Sequence, residues 1–345
     1  MSSSKASNAI LAKARAMYGK CLTEKNYDEL MECHSVSEIA TYLKTRTNYS
    51  STLTGLNEND VHRGQLEPIL KQNIYSDIFA LSRYEQDNSV SFSDFIVSKI
   101  EIEEIIRCLT LINIGKPQEY VYTMPLSLDK LTKINLKSFT SVRTYDDILE
   151  VLKGTVYLPV LQKFKPKDGE RIQIAEIETS LDNEICRRLL ESISKSKNKR
   201  DREQLKDIFL SFLDFKNVAR ILRLKKYYKF SHDKIKKNLI PYGKLRDKVI
   251  DELCSAETVQ EVFERSRSTY LGKLMSKLQY NDQTQITDAL LSMYCKHHLR
   301  LSINPTIVMI SYIYLKEIEL KNIVNIIEAT RYGISADEKA KLLVR

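Results

Sequence analysis

Residues 100–109 read Ile-Glu-Ile-Glu-Glu-Ile-Ile-Arg-Cys-Leu, residues 213–222 read Leu-Asp-Phe-Lys-Asn-Val-Ala-Arg-Ile-Leu, and residues 318–327 read Ile-Glu-Leu-Lys-Asn-Ile-Val-Asn-Ile-Ile. The three segments align without a gap. Each runs apolar, acid, apolar, charged, Glu or Asn, apolar, apolar or Ala, Arg or Asn, apolar, apolar. The pattern recurs after 113 and then 105 residues. One departure stands out: Glu104 occupies the position held by Asn217 and Asn322 in the other two copies.

A second pattern keeps the same rhythm. Ser35-Val-Ser-Glu38 is followed by Ile39, Leu43, Thr47 and Tyr49. Thr144-Tyr-Asp-Asp147 is followed by Ile148, Leu152, Thr155 and Tyr157. Thr258-Val-Gln-Glu261 is followed by Val262, Phe263, Thr269 and Tyr270. Each opening is a capping box, in which a Ser or Thr hydroxyl caps the first helical turn and the acid three residues on reaches back. The acids recur after 109 and 114 residues. Two patterns with one period near 110 residues predict three helical units, at 1–115, 116–228 and 229–345. Such units stack along a line or gather around an axis, and the repeat alone is compatible with both.

Composition decides the fold class. The chain holds 9 Gly and 7 Pro in 345 residues, far below the roughly 12% that these two residues average together. Strands and tight turns need them as punctuation. Residues 69–114, 170–240, 273–304 and 306–332 contain neither, so the expected fold is all-α. Apolar residues at 43% and charged residues at 29% belong to a globular chain rather than a disordered one.

The six cysteines, at 21, 33, 108, 186, 254 and 295, form no Cys-x-x-Cys pair. The polar residues 1–8 do not read as a signal peptide, so the cysteines are expected reduced, mostly buried and cytosolic. The longest apolar run, Ile307 to Leu315, is far short of the roughly 20 residues that span a bilayer. The net charge of +9 is uneven: 20 Lys and Arg against 7 Asp and Glu lie between Arg187 and Lys248. Within that region Arg187, Arg188, Lys195, Lys197, Lys199 and Arg200 are the candidate partner contacts, joined by Arg331 at the end of the third signature.

Signs of catalysis are missing. Gly19-Lys20 lacks the earlier glycine of a phosphate loop, because Ala14 stands there. Cys295-Lys-His297-His298 is the best metal candidate, but a structural zinc site needs four ligands and no second Cys/His pair is present. Cys33-His34 are sequence neighbours, which does not set a nucleophile against its base. The reading is no enzyme, no cofactor and no metal. The basic runs 195–202 and 225–237, with Tyr227, Tyr228 and Phe230 among them, raise an alternative: a helical-repeat scaffold that binds nucleic acid or an acidic protein through 187–248.

Both ends of the chain resemble one family. Residues 321–338, from Lys321-Asn322-Ile323 through Arg331-Tyr332-Gly333 to Glu338, are similar to the closing motif of the C subunits of V/A-type rotary ATPases, the counterparts of the d subunit of the vacuolar ATPase. Ala14-Arg15-Ala16-Met17, Leu22-Thr23, Tyr27, Leu30 and the first capping box resemble the opening of the same proteins. The resemblance implies three pseudo-symmetric helical units set around an axis as a funnel. It implies a non-catalytic coupling subunit, peripheral on the cytoplasmic face of the membrane. Its partners are then the D and F subunits of the central stalk and the proteolipid (K/c) ring, with the membrane stator as a further candidate and no nucleic acid. The basic region becomes a docking face for an acidic stalk tip or anionic lipid head groups. Gly333 is expected to cap the last signature helix in a left-handed conformation, with Tyr332 packing beneath it.

Overall fold

The computed structural model describes residues 2–57, 63–85, 91–125, 128, 131–167, 169–278 and 285–345. Among them every regular element is a helix and none is a strand, so the all-α expectation holds. The chain packs as two compact units. The first comprises Met1–Asp87, Glu203–Lys237 and Tyr242–Arg345, and the second Asn88–Arg202 and Asn238–Pro241.

Each signature lies on a long helix: Phe92–Asn113, Lys199–Arg223 and Pro305–Arg331. The third begins where Asn304 Oδ1 accepts the Ile307 amide at 3.2 Å and Pro305 takes the first helical position, where its missing N–H costs nothing. Twenty of its 27 residues are buried. It is therefore a core helix, apolar all round rather than along one stripe. It packs against the helices Ser2–Tyr18, Arg63–Ser82 and Ile286–Leu301 within the first unit. In the second unit Phe92–Asn113 packs along Ile174–Ser194.

The first and third signature helices stop in the same way. Gly115 (φ 72°) and Gly333 (φ 65°) are left-handed. The amides of Lys116 and Ile334 reach back to Leu111 O and Ala329 O, at 2.8 and 2.9 Å, closing the glycine cap that satisfies the last carbonyls. Gly333 is thus the expected cap. Tyr332 is not packed beneath it: the ring is 74% exposed, because the cap is closed by backbone bonds and Ile334 follows it inward. The second signature helix ends differently. Leu224–Tyr228 form a π turn, and the left-handed position falls on Lys229 (φ 47°), one residue later than the glycines relative to the signature. A π turn is a one-residue insertion in a helix, and here the added residue puts lysine where its relatives have glycine.

The capping boxes form with one modification. Ser35 Oγ, Thr144 Oγ1 and Thr258 Oγ1 accept the amides of Glu38, Asp147 and Glu261 at 3.1 to 3.2 Å. The return bond of the full box appears only at Asp147, which accepts the Thr144 amide at 2.9 Å. Glu38 and Glu261 instead take the amide one residue earlier, from His34 and Glu257, at 2.8 and 2.9 Å. Asp147 takes that amide as well, from Arg143. A true box that the repeat does not announce closes between Thr23 and Asn26.

What joins the two patterns is a buried bond. The second residue of each signature, Glu101, Asp214 or Glu319, is almost fully buried. Each accepts a hydrogen bond from the tyrosine of a capping motif. Tyr157 donates to Glu101 Oε2 at 2.5 Å, Tyr270 to Asp214 Oδ2 at 2.6 Å and Tyr49 to Glu319 Oε1 at 2.8 Å. Backbone amides complete each shell. Lys133 and Ile134 serve Glu101, Lys244 and Leu245 serve Asp214, and Leu22 serves Glu319. The pairing runs forward by 56 residues in the first two cases. In the third it closes the chain, tying residue 49 to residue 319.

The latches differ in charge balance. Lys316 Nζ lies 2.6 Å from Glu319 Oε1 and donates to Tyr49 Oη at 3.2 Å, so the third acid keeps a buried cation when its tyrosine is lost. Among the described residues no cationic side chain takes that place at Glu101. Tyr157→Phe is therefore expected to lower stability by about 1.5–3 kcal/mol and Tyr49→Phe by less, read from urea midpoints followed by circular dichroism. Lys229→Gly relieves a left-handed lysine and is expected to raise stability by about 0.5–1 kcal/mol in the same titration.

Candidate partner interface

Six of the seven candidate contacts lie on one stretch of the second unit. The helix Ile174–Ser194 buries Ile177, Leu181, Ile185, Cys186, Leu189 and Ile193, a stripe at helical spacing that fixes which face looks outward. The stripe ends at Ser196, which is buried, and Arg202 donates to the Ser196 carbonyl at 3.0 Å. Asn198 Oδ1 then accepts the amides of Arg200 and Asp201, at 3.0 and 3.3 Å, and starts the next helix. Lys195, Lys197, Lys199 and Arg200 are all exposed on this turn. Positive charge at a helix C-terminus is favoured by the exposed carbonyls there, so Lys195 and Lys197 cost the fold little.

Arg187 and Arg188 are placed differently. Arg187 is held in a fork: Nη2 and Nε lie 2.7 and 3.0 Å from the Glu184 carboxylate, and Nη1 bonds Glu191. The hydrogen bonds and charge of Arg187 hold Glu184 below the ordinary carboxylate value. Its charge is matched on its own helix. Arg188 is only 3.9 Å from Glu184 and lines a cavity of 540 Å³ together with Asp94, Glu101, Lys133, Tyr157 and Ser192. One wall of that cavity is thus the buried Tyr157–Glu101 latch. Arg331 belongs to the first unit, where it pairs with Glu328 at 3.2 Å at the end of the third signature helix.

Two lysines of the second basic run, 225–237, are engaged within the protein. Lys225 Nζ donates to Cys254 O at 2.7 Å and to Ala256 O, closing the end of the helix Asp247–Ser255, and burial lowers its pKa. Lys236 pairs with Asp251 at 2.5 Å. Beyond the run, Lys244 pairs with Asp207 at 2.6 Å. Tyr227 and Tyr228 remain exposed. A phosphate track needs cations free to replace counterions, and these three are committed elsewhere. The nucleic-acid alternative therefore rests on the remaining exposed cations, those of the turn 195–200 among them.

The metal candidate also comes apart. Cys295 is fully buried, with burial pushing its thiol up, whereas His297 is exposed. Among the described residues no group of three or more His, Cys, Asp or Glu is placed to hold an ion. All six cysteines are free thiols, four of them buried. No helix among the described residues is long and apolar enough to cross a membrane.

The latch is the structural feature that the sequence does not announce. Its two halves are both visible there, as the acid of the signature and the tyrosine ending the capping motif. Their pairing is hidden because each acid meets the tyrosine of a different period.

Residues 10–341 match the ATP synthase (C/AC39) subunit family. The chain belongs to that family. It is 24% identical over 336 residues to the C subunit of the A-type ATP synthase of Methanosphaera stadtmanae, covering 94% of this chain and 83% of that protein. It is 26% identical over 264 residues to the C subunit of the A-type ATP synthase of Methanosarcina mazei, covering 75% and 69%.

Neutralising Lys195, Lys197, Lys199 and Arg200 together to Gln is expected to change stability by less than about 0.5 kcal/mol per site. Lys225→Met, which strips two carbonyls of their donor, is expected to cost about 1–3 kcal/mol. Thermal unfolding of the two variants separates outward-facing charge from charge that holds the fold.

Proposed function

We propose that this chain is the non-catalytic coupling subunit of a V/A-type rotary ATPase. In this reading it is a socket that receives the central stalk, made of the D and F subunits, and seats on the proteolipid ring at the cytoplasmic face of the membrane. Its three signature units gather around an axis as a funnel. Torque then passes between ATP hydrolysis or synthesis and the transport of protons or sodium ions.

The observation that carries the reading is the latch repeated on all three signature helices. A part that transmits torsion has to resist it. Here three long helices are each pinned by a buried, charge-assisted bond, a class worth about 1.5–3 kcal/mol. The pinning includes the two ends of the sequence, since Tyr49 holds Glu319. Helices nearly free of Gly and Pro add stiffness along their length. Family membership supports the assembly, and the exposed turn Lys195–Arg200 suits an acidic partner surface. Arg188 extends that face, while Arg187 and Arg331 are balanced on their own helices.

Co-expression with a D–F stalk tests this. The expected result is one stable complex on a sizing column at low salt, weakening as salt rises. The Gln variant at Lys195, Lys197, Lys199 and Arg200 should bind at least about tenfold more weakly. Separate elution of the wild-type chain and stalk at low salt overturns the coupling reading. Tight binding to generic RNA in place of stalk restores the scaffold alternative.

A further inference from the structure

A cavity of 580 Å³ in the first unit is lined by one face of the helix Ile286–Leu301, with Leu278 and Arg345. Its charged lining is all basic: Lys296, Arg300 and Arg345, with His297 beside them. Its apolar lining includes Leu278, Met293 and Leu301. Among the described residues no Asp or Glu side chain lines it. Arg345 is balanced by Glu24 and Asp28, at 3.4 and 3.0 Å. Lys296 has no such close pair, and Glu24 attracts it only from a distance. The lysine is half-buried and enters no hydrogen bond or ion pair among the described residues. A cation in that position gains from an incoming anion more than an exposed lysine does, because less water screens it.

Leu301, at the edge of the cavity lining, lies on a turn with a second exposed apolar residue. Leu301 is 69% exposed, and Ile303, two residues on, is 71% exposed. Two large apolar side chains exposed two residues apart on one turn are candidates for an interaction surface. The turn that carries them is fixed by Arg15, whose guanidinium donates to Leu299 O at 2.9 Å, Arg300 O at 3.3 Å and Ser302 O at 2.7 Å. Asn304 then caps the next helix. The two apolar residues are therefore presented by a braced corner.

We infer that this corner of the first unit binds the phosphate headgroup of an anionic phospholipid, with Leu301 and Ile303 entering the acyl boundary. The volume takes a headgroup and the first carbons of its chains, not a whole lipid. Lys296, His297 and Arg300 donate to the phosphate oxygens. A free phosphate satisfies the cations but leaves the apolar pair in water, which is why the lipid is the occupant that fits both halves. This site does not rest on the coupling reading, which concerns a protein partner and other residues.

Flotation of the full chain with vesicles tests it. Vesicles of phosphatidylcholine containing about a third phosphatidylglycerol should carry the wild-type chain, and pure phosphatidylcholine should not. Lys296→Gln should lower the partition coefficient about fivefold. The uncharged change Leu301→Ser with Ile303→Ser should lower it at least about tenfold. Lys197→Gln, an equal loss of charge elsewhere, should leave it within about twofold. All of these positions are exposed or half-buried, so the variants are expected to keep the wild-type circular dichroism spectrum. Equal losses for Lys296→Gln and Lys197→Gln mean that general charge attraction acts instead, and overturn the proposal. So does an unchanged coefficient for the serine pair, or full displacement from vesicles by inorganic phosphate, which identifies a free-phosphate site. Stalk binding by the serine pair at wild-type strength keeps the two readings separable.

Discussion

A carboxylate taken out of water must be repaid in hydrogen bonds, or the fold loses several kcal/mol. Three signature helices of this chain each bury one. No helix can satisfy its own mid-helix carboxylate with its own amides, since these are already bonded along the axis. Apart from Lys316 beside Glu319 on its own helix, the donors come from elsewhere: a tyrosine hydroxyl from a capping motif, and one or two backbone amides from an adjoining segment. Much of the topology follows from that demand. Chain must return to each signature helix, and in the third case the returning chain is the N-terminal one.

The three solutions show how sequence variation is absorbed. Asp214 is one methylene shorter than Glu101 and Glu319, so the backbone that serves it has to approach more closely. Gly243 allows this, since a Cβ there would sit 2.1 Å from Asp214 Oδ1. Burial holds Asp214 above the ordinary carboxylate value, against the pull of Tyr270 and the two amides. In the first copy the odd residue Glu104 brings a second buried acid, met by Tyr120 at 3.0 Å and by Arg107 at 2.9 Å. Its counterpart Asn322 instead exchanges two bonds with the backbone of Val344, at 2.8 and 2.9 Å. One position thus recruits a cation and a phenol in one copy, and a returning segment of backbone in another.

Charge is sorted by the same logic. The excess of positive residues between 187 and 248 reads in the sequence as one basic region. In space it includes lysines that close helices or pair with acids, such as Lys225, Lys236 and Lys244, and exposed cations such as those of the turn at 195–200. Charge that faces outward acts on a partner at longer range than charge spent on the fold.

Sequence by itself determined the helical class, because so few Gly and Pro leave no material for strands and tight turns. It also determined the existence of a repeat and the positions of its caps, since these are local patterns read along one helix. The left-handed Gly333 was legible for the same reason. Tertiary structure decided the rest. Which tyrosine meets which acid is a contact across 56 residues or across 270, and nothing local encodes it. Whether a lysine is a docking group or a helix cap depends on what lies beyond its ammonium. The basic cavity beside Leu301 was likewise out of reach of the sequence, because its walls meet only after residues 278, 296 and 345 are brought together.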